Sequence, residues 1–256
     1  MTPALRQAIA KVIIEPPGLE PVRGTAFLVA PGLVLTACHV VGIREQRRLH
    51  TASIRLVFPS GESLGVVEPK LFDWEADWAL LSCKPLPKVR PIPLAILKRS
   101  GVEWNTHGFP DAQPVDGLVV RGEVTYHEGR YLGHEVFQLE CVEAVAGNGV
   151  PVMGLSGAPC LVDGAAVGLL RASLLDGDKN VGATLYACPI QTLLARTGSR
   201  LPTPDPYWGL PGLPPRDLPA RPFRYRGSSA TSAPMRRSRP SCSSGGAATC
   251  ARSTSG

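Results

Sequence analysis

The chain has 256 residues, a formal net charge of +6, and 44% hydrophobic against 19% charged residues. That is enough apolar mass for a large core, and no run reaches the roughly 18 apolar residues of a membrane-spanning helix, so no membrane contact is expected. The positive charge is local: residues 216–256 hold eight Arg and one Asp, while the preceding 215 residues have a net charge of −1, which leaves no basic face for nucleic acid.

The pattern along the chain is that of strands. Arg6 and Lys11 interrupt the apolar residues at the N-terminus, unlike a secretory signal, so a cytoplasmic location is expected. Ala8 to Glu15 alternates as a first strand, broken by Pro16-Pro17-Gly18. Gly24 to Ala30 and Leu33 to Thr36 are β-rich runs joined by the turn pair Pro31-Gly32, a hairpin signal, and Ala37 to Val41 reads as a short helical turn. Ile54 to Phe58 and Ser63 to Val67 form another hairpin across Pro59-Ser60-Gly61. Ala76 to Cys83 is a further strand, and the prolines at 85, 87, 91 and 93 make Lys84 to Leu94 a connector. A second set of strands starts near Val102, with Leu118 to Tyr126, Glu135 to Val142, Ala158 to Val162, Ala165 to Arg171 and Val181 to Cys188. Asp163-Gly164 is a two-residue hairpin signal. Pro189 to Ala195 is a short closing helix with Pro in its first turn.

After Arg200 the composition changes. Eight prolines between 202 and 222 mark an extended linker. From Arg226 to Gly256 almost no large apolar side chain occurs, and such a segment cannot bury enough surface to fold alone. The expected organisation is a folded unit at 1–200, with halves at about 8–84 and 95–197, a linker at 201–225 and a disordered tail at 226–256. The seven cysteines are odd in number and form no CxxC pair. Cys38, Cys83, Cys141, Cys160 and Cys188 each sit in an apolar run and read as small buried hydrophobes rather than disulfide or zinc partners.

Three segments have the residue types of nucleophilic catalysis. Gly154-Leu155-Ser156-Gly157-Ala158-Pro159 presents a serine between glycines at a bend. Leu35-Thr36-Ala37-Cys38-His39-Val40 ends an apolar strand in a histidine. Asp77-Trp78-Ala79-Leu80-Leu81 leads an aspartate into a buried run. A serine hydroxyl needs an imidazole to take its proton and a carboxylate to orient that imidazole. No Asp precedes His39 and no His follows Ser156, which leaves the order His, Asp, Ser of two-barrel proteases. Gly154 and Gly157 let the backbone turn so that the N–H groups of Gly154 and Ser156 face one developing oxyanion. Asp73 also precedes a Trp and is a rival to Asp77. A catalytically silent, protein-binding domain of the same fold is the alternative reading.

These segments, together with Gly24-Thr25-Ala26-Phe27-Leu28-Val29, resemble those of bacterial trypsin-like serine peptidases over roughly residues 8 to 197. The resemblance implies an all-β fold of two antiparallel barrels of the chymotrypsin type with a short C-terminal helix. It implies a serine endopeptidase acting on a protein or peptide substrate without a cofactor, through His39, Asp77 and Ser156. It favours Asp77 over Asp73, because the family's aspartate leads directly into a buried strand. It places the specificity-pocket floor near Val150 and the strand that pairs with substrate backbone at Arg171, Ala172 and Ser173; Val150 has no carboxylate, so a small or medium apolar residue before the cleaved bond fits. Animal relatives have an Asp before the serine that pairs with a newly cut N-terminus. Leu155 stands there, so activation by trimming is not expected. Asp205-Pro-Tyr-Trp-Gly-Leu is similar to connectors that precede signalling NTPase modules in bacterial multidomain proteins, which implies modules of a bacterial signalling system as partners.

Overall fold

The computed structural model describes residues 1–204 apart from positions 16, 17, 19, 51, 52, 112, 146–153, 177 and 178; the side chains at 67, 68, 144, 145, 172–176, 179–183 and 199 are also outside the description. The linker beyond position 204, the tail and Val150 therefore lie outside the described residues.

A short helix α1 (Pro3–Gln7) leads into β1 (Ile9–Ile14), β2 (Val22–Ala30) and β3 (Leu33–Thr36). A one-turn helix α2 (Cys38–Val41) and the small pair β4 (Gly42–Ile43) and β5 (Arg48–Leu49) follow, then β6 (Ile54–Val57), β7 (Ser63–Asp73) and β8 (Trp78–Cys83). The second half comprises β9 (Val102–Gly108), β10 (Leu118–Tyr131), β11 (His134–Glu140), helix α3 (Val142–Val145), β12 (Pro159–Val162), β13 (Ala165–Asp176), β14 (Lys179–Pro189) and α4 (Ile190–Thr197). The strands close into two antiparallel barrels, in the order β1-β2-β3-β8-β7-β6 and β10-β11-β14-β13-β12-β9. This is the expected all-β, chymotrypsin-like fold with a short helix at the end of the second barrel.

Packing accounts for the sequence pattern. Along β2 every residue from Gly24 to Val29 is buried, because one face fills barrel one and the other meets barrel two; a strand covered on both faces reads as a continuous apolar run. β10 has only one covered face, so buried Val120 and Val124 alternate with polar residues. One apolar cluster fills barrel one and continues into Leu161, Leu169, Cys188, Ile190 and Leu193, and a second fills barrel two around Trp104 and Leu139. The Asp163-Gly164 hairpin is present, both residues having positive φ.

Several boundaries differ from the sequence reading. β7 runs on to Asp73, past Pro69, which is tolerated because the register shifts on either side of it. Asp73, expected in a loop, thus ends a strand and pairs with Trp78. β10 extends past Tyr126 to Tyr131 through two further register shifts. Cys38, Cys83, Cys141, Cys160 and Cys188 are buried and unbridged, as read. Burial pushes the Cys38 and Cys188 thiols up to about 12. No helix among the described residues is long and apolar enough to cross a membrane.

Candidate active site

His39 lies in α2, directly after β3, and Asp77 in the turn between β7 and β8. The β3–β8 register, Thr36 opposite Ala79, brings the two strand ends together. Asp77 Oδ1 accepts the backbone N–H of His39 at 3.0 Å, and Oδ2 accepts from the ring Nδ1 at 2.7 Å. One carboxylate therefore caps an otherwise unpartnered N–H of α2 and aligns the imidazole. Because a carboxylate only accepts, Nδ1 holds the ring proton and Nε2 of the neutral ring offers its lone pair. The aspartate side chain is 4% exposed, the histidine 32%, so the pair is anchored on the dry side and open on the other. Asp77 has φ +58°, a left-handed conformation that Asp tolerates better than most residues.

Asp73 is occupied elsewhere. Its Oδ1 accepts the N–H groups of Glu75 and Ala76, both at 2.9 Å, closing the turn that presents Asp77, and its Oδ2 pairs with Arg196 of α4.

Ser156 comes from barrel two, in the turn before β12. Gly154 and Gly157 have φ +94° and +87°. A Cβ on Gly154 would come within 2.7 Å of the Phe109 carbonyl, and one on Gly157 within 2.0 Å of the Thr25 carbonyl, so both conformation and space require glycine. His39, Asp77, Gly154 and Ser156 all line one cleft of about 810 Å³, whose walls include Arg23 of barrel one and Leu185 of barrel two. Among the described residues no hydrogen bond joins the Ser156 hydroxyl to the imidazole; such contacts are often long before substrate binds.

The remaining expected residues fall as follows. Arg171 lines the cleft, but its side chain is buried. Its Nη2 donates to the Glu75 carbonyl at 3.4 Å, and Nε and Nη1 have no partner among the described residues. Ala172 and Ser173 belong to β13, where they pair with Tyr186 and Leu185, while β12 pairs with β13 only from Ala165 to Leu169. Sequence reasoning missed Tyr131 and Leu132, at the β10–β11 hairpin, which also line the cleft. Leu132 is 69% exposed with φ +51°; the signal was Leu132-Gly133 between two strand patterns.

The model of the trypsin-like peptidase domain matches residues 24–169. The chain belongs to this family. Among solved structures, this trypsin-like peptidase domain superposes on the HtrA-type protease AlgW with tripeptide at TM-score 0.60 and 19% identity, covering 75% of this chain and 59% of that one. A variant of AlgW with tripeptide gives TM-score 0.61 at the same identity and coverage. The chain thus spans about 59% of the length of the structures it matches, and at this identity the likeness concerns the serine-protease fold. No curated protein matches the sequence.

Proposed function

We propose that the trypsin-like domain is a serine endopeptidase that hydrolyses peptide bonds through His39, Asp77 and Ser156. The observation that carries this reading is the doubly bonded, buried Asp77 carboxylate behind His39, with His39 and Ser156 on one cleft.

In the proposed reaction Ser156 Oγ attacks the carbonyl carbon of the scissile bond while its proton passes to His39 Nε2. The oxyanion that forms is held by the N–H groups of Gly154 and Ser156, each such donor being worth about 10²–10³ in rate. The intermediate collapses, the C–N bond breaks, and the leaving amine takes the proton from His39. Water then attacks the acyl-enzyme, His39 accepts its proton and returns it to Ser156 Oγ as the acid product leaves. Substrate backbone would pair with β13 at Arg171 to Ser173, with the pocket floor near Val150. Five unbridged, buried cysteines support a reducing compartment such as the cytoplasm.

The test is labelling with a fluorophosphonate probe together with cleavage of a peptide library. Wild type should be labelled on Ser156 and should cleave peptides. Ser156→Ala should lose labelling and about 10⁶ in kcat. An unlabelled, inactive wild type would establish the silent binding domain instead, and labelling that survives Ser156→Ala would give the nucleophile to another residue.

A further inference from the structure

Thr25 is fully buried in β2, in an otherwise apolar stretch. Each of its polar groups is engaged, and most reach the serine turn of the other barrel. Its backbone N–H donates to the Ser156 carbonyl at 2.9 Å. Its carbonyl accepts from the Thr36 hydroxyl at 2.8 Å. Its hydroxyl oxygen accepts the Phe109 N–H at 3.0 Å and stands 2.9 Å from the Gly154 carbonyl. A hydroxyl has one proton. With Phe109 donating to the oxygen, that proton is committed to Gly154.

We infer that Thr25 is a positioning residue for Ser156 and its oxyanion-binding N–H, an inference that rests on the function proposed above. Thr25 grips the carbonyls of Gly154 and Ser156 from barrel one. The carbonyl between them, that of Leu155, accepts the Ala158 N–H at 2.9 Å. All three carbonyls of the turn are thus held by protein donors. In a planar trans peptide the N–H points opposite to the preceding C=O, so fixing the Leu155 carbonyl aims the Ser156 N–H away from it. Thr36, which holds the Thr25 carbonyl, lies three residues before His39. One pair of adjacent strands in barrel one therefore sets the place of both the base and the nucleophile turn, across a seam that neither barrel could register alone.

Thr25→Val keeps the shape and removes the hydroxyl. It should lower kcat roughly 10- to 100-fold, the scale of a displacement of about an ångström at the reacting atoms, with KM changed less than about twofold. It should weaken binding of a peptide aldehyde, which places an oxyanion in the site, by a similar factor, and leave binding of a product peptide unchanged. Thr25→Ser should restore kcat to within about threefold of wild type. Thr25→Ala provides the same comparison if the valine variant does not fold. A lower melting temperature with kcat and aldehyde affinity unchanged per folded molecule would make Thr25 merely structural and overturn the inference, as would equal weakening of aldehyde and product. These outcomes leave wild type active. An inactive wild type that the fluorophosphonate does not label would instead remove the proposed function, and this inference with it.

Discussion

Asp73 ends β7 and Asp77 lies in the turn that follows, and each precedes a tryptophan, yet their carboxylates have different work. Asp77 spends both oxygens on His39, whereas Asp73 closes the turn and pairs with Arg196. Asp77→Asn should lower kcat by roughly 10⁴, because an amide can stabilise the wrong imidazole tautomer. Asp73→Asn should cost some stability and less than about tenfold in kcat, since its ion pair is partly exposed. Steady-state kinetics on the two variants checks the assignment, and the reverse ranking would refute it. Gly157 has no such latitude. A methyl group there meets the Thr25 carbonyl at 2.0 Å, so Gly157→Ala must push the serine turn off barrel one. Both activity, by roughly 10² or more, and melting temperature should fall; an active, stable alanine variant would show that the turn is not clamped.

At the scale of single elements, β9 carries His107 one residue before its end, buried beside Arg6 of α1. Its Nε2 lies 3.1 Å from the Asp116 carbonyl and 3.4 Å from Arg6 Nη2, and its Nδ1 has no partner among the described residues. Burial pushes its pKa below 6.5; the Arg6 charge acts in the same direction, and the Asp116 carbonyl partly opposes it. Above 6.5 the residue is neutral in folded and unfolded chains alike. Below 6.5 the unfolded chain binds the proton more readily, so stability is lost as pH falls from there through the lower folded value. His50, whose pKa is also lowered, by burial and then Arg48, contributes in the same sense. His107→Gln should therefore flatten the decline in melting temperature between about pH 7.5 and 5.5. An unchanged slope would assign the acid sensitivity to other groups.

For the whole molecule, the question is where the independent unit stops. Leu201 is 5% exposed and belongs to the core cluster of barrel one, so the folded unit extends just past Arg200. Beyond Pro204 the composition offers prolines and then almost no apolar mass, and ordering such residues would cost about 1–2 kcal/mol each with little burial in return. A chain truncated after Pro204 should keep full peptidase activity and melt within about 5 °C of the full chain. A larger drop would mean that Tyr207, Trp208 and Leu210 pack onto the barrels. Truncation after Arg200, which removes Leu201, should be the less stable of the two.

The sequence by itself determined the fold class and named the residues of the candidate site. Period-two runs, turn pairs and the order His39, Asp77, Ser156 are local properties, and each depends only on a residue and its near neighbours. The short helix bearing His39, the Asp163-Gly164 hairpin and the glycines around Ser156 were legible for that reason. What the sequence could not show was anything set by residues distant along the chain. The length of β7 past Pro69 depends on register shifts against β8, which no propensity encodes. The choice between Asp73 and Asp77 was weighted by the family's pattern, but their separate hydrogen-bond partners follow from the meeting of β3, β8 and α4. Arg171 looked like part of a substrate strand, and only the packing of β13 against the Asp77 turn buries its guanidinium. Thr25 read as one polar residue in an apolar run. Its role as a clamp arises because the two barrels close face to face, placing its hydroxyl, amide and carbonyl among groups 11, 84 and about 130 residues away. Buried polar groups must find partners; Thr36 of the same barrel serves the Thr25 carbonyl, and the other barrel serves its amide and hydroxyl.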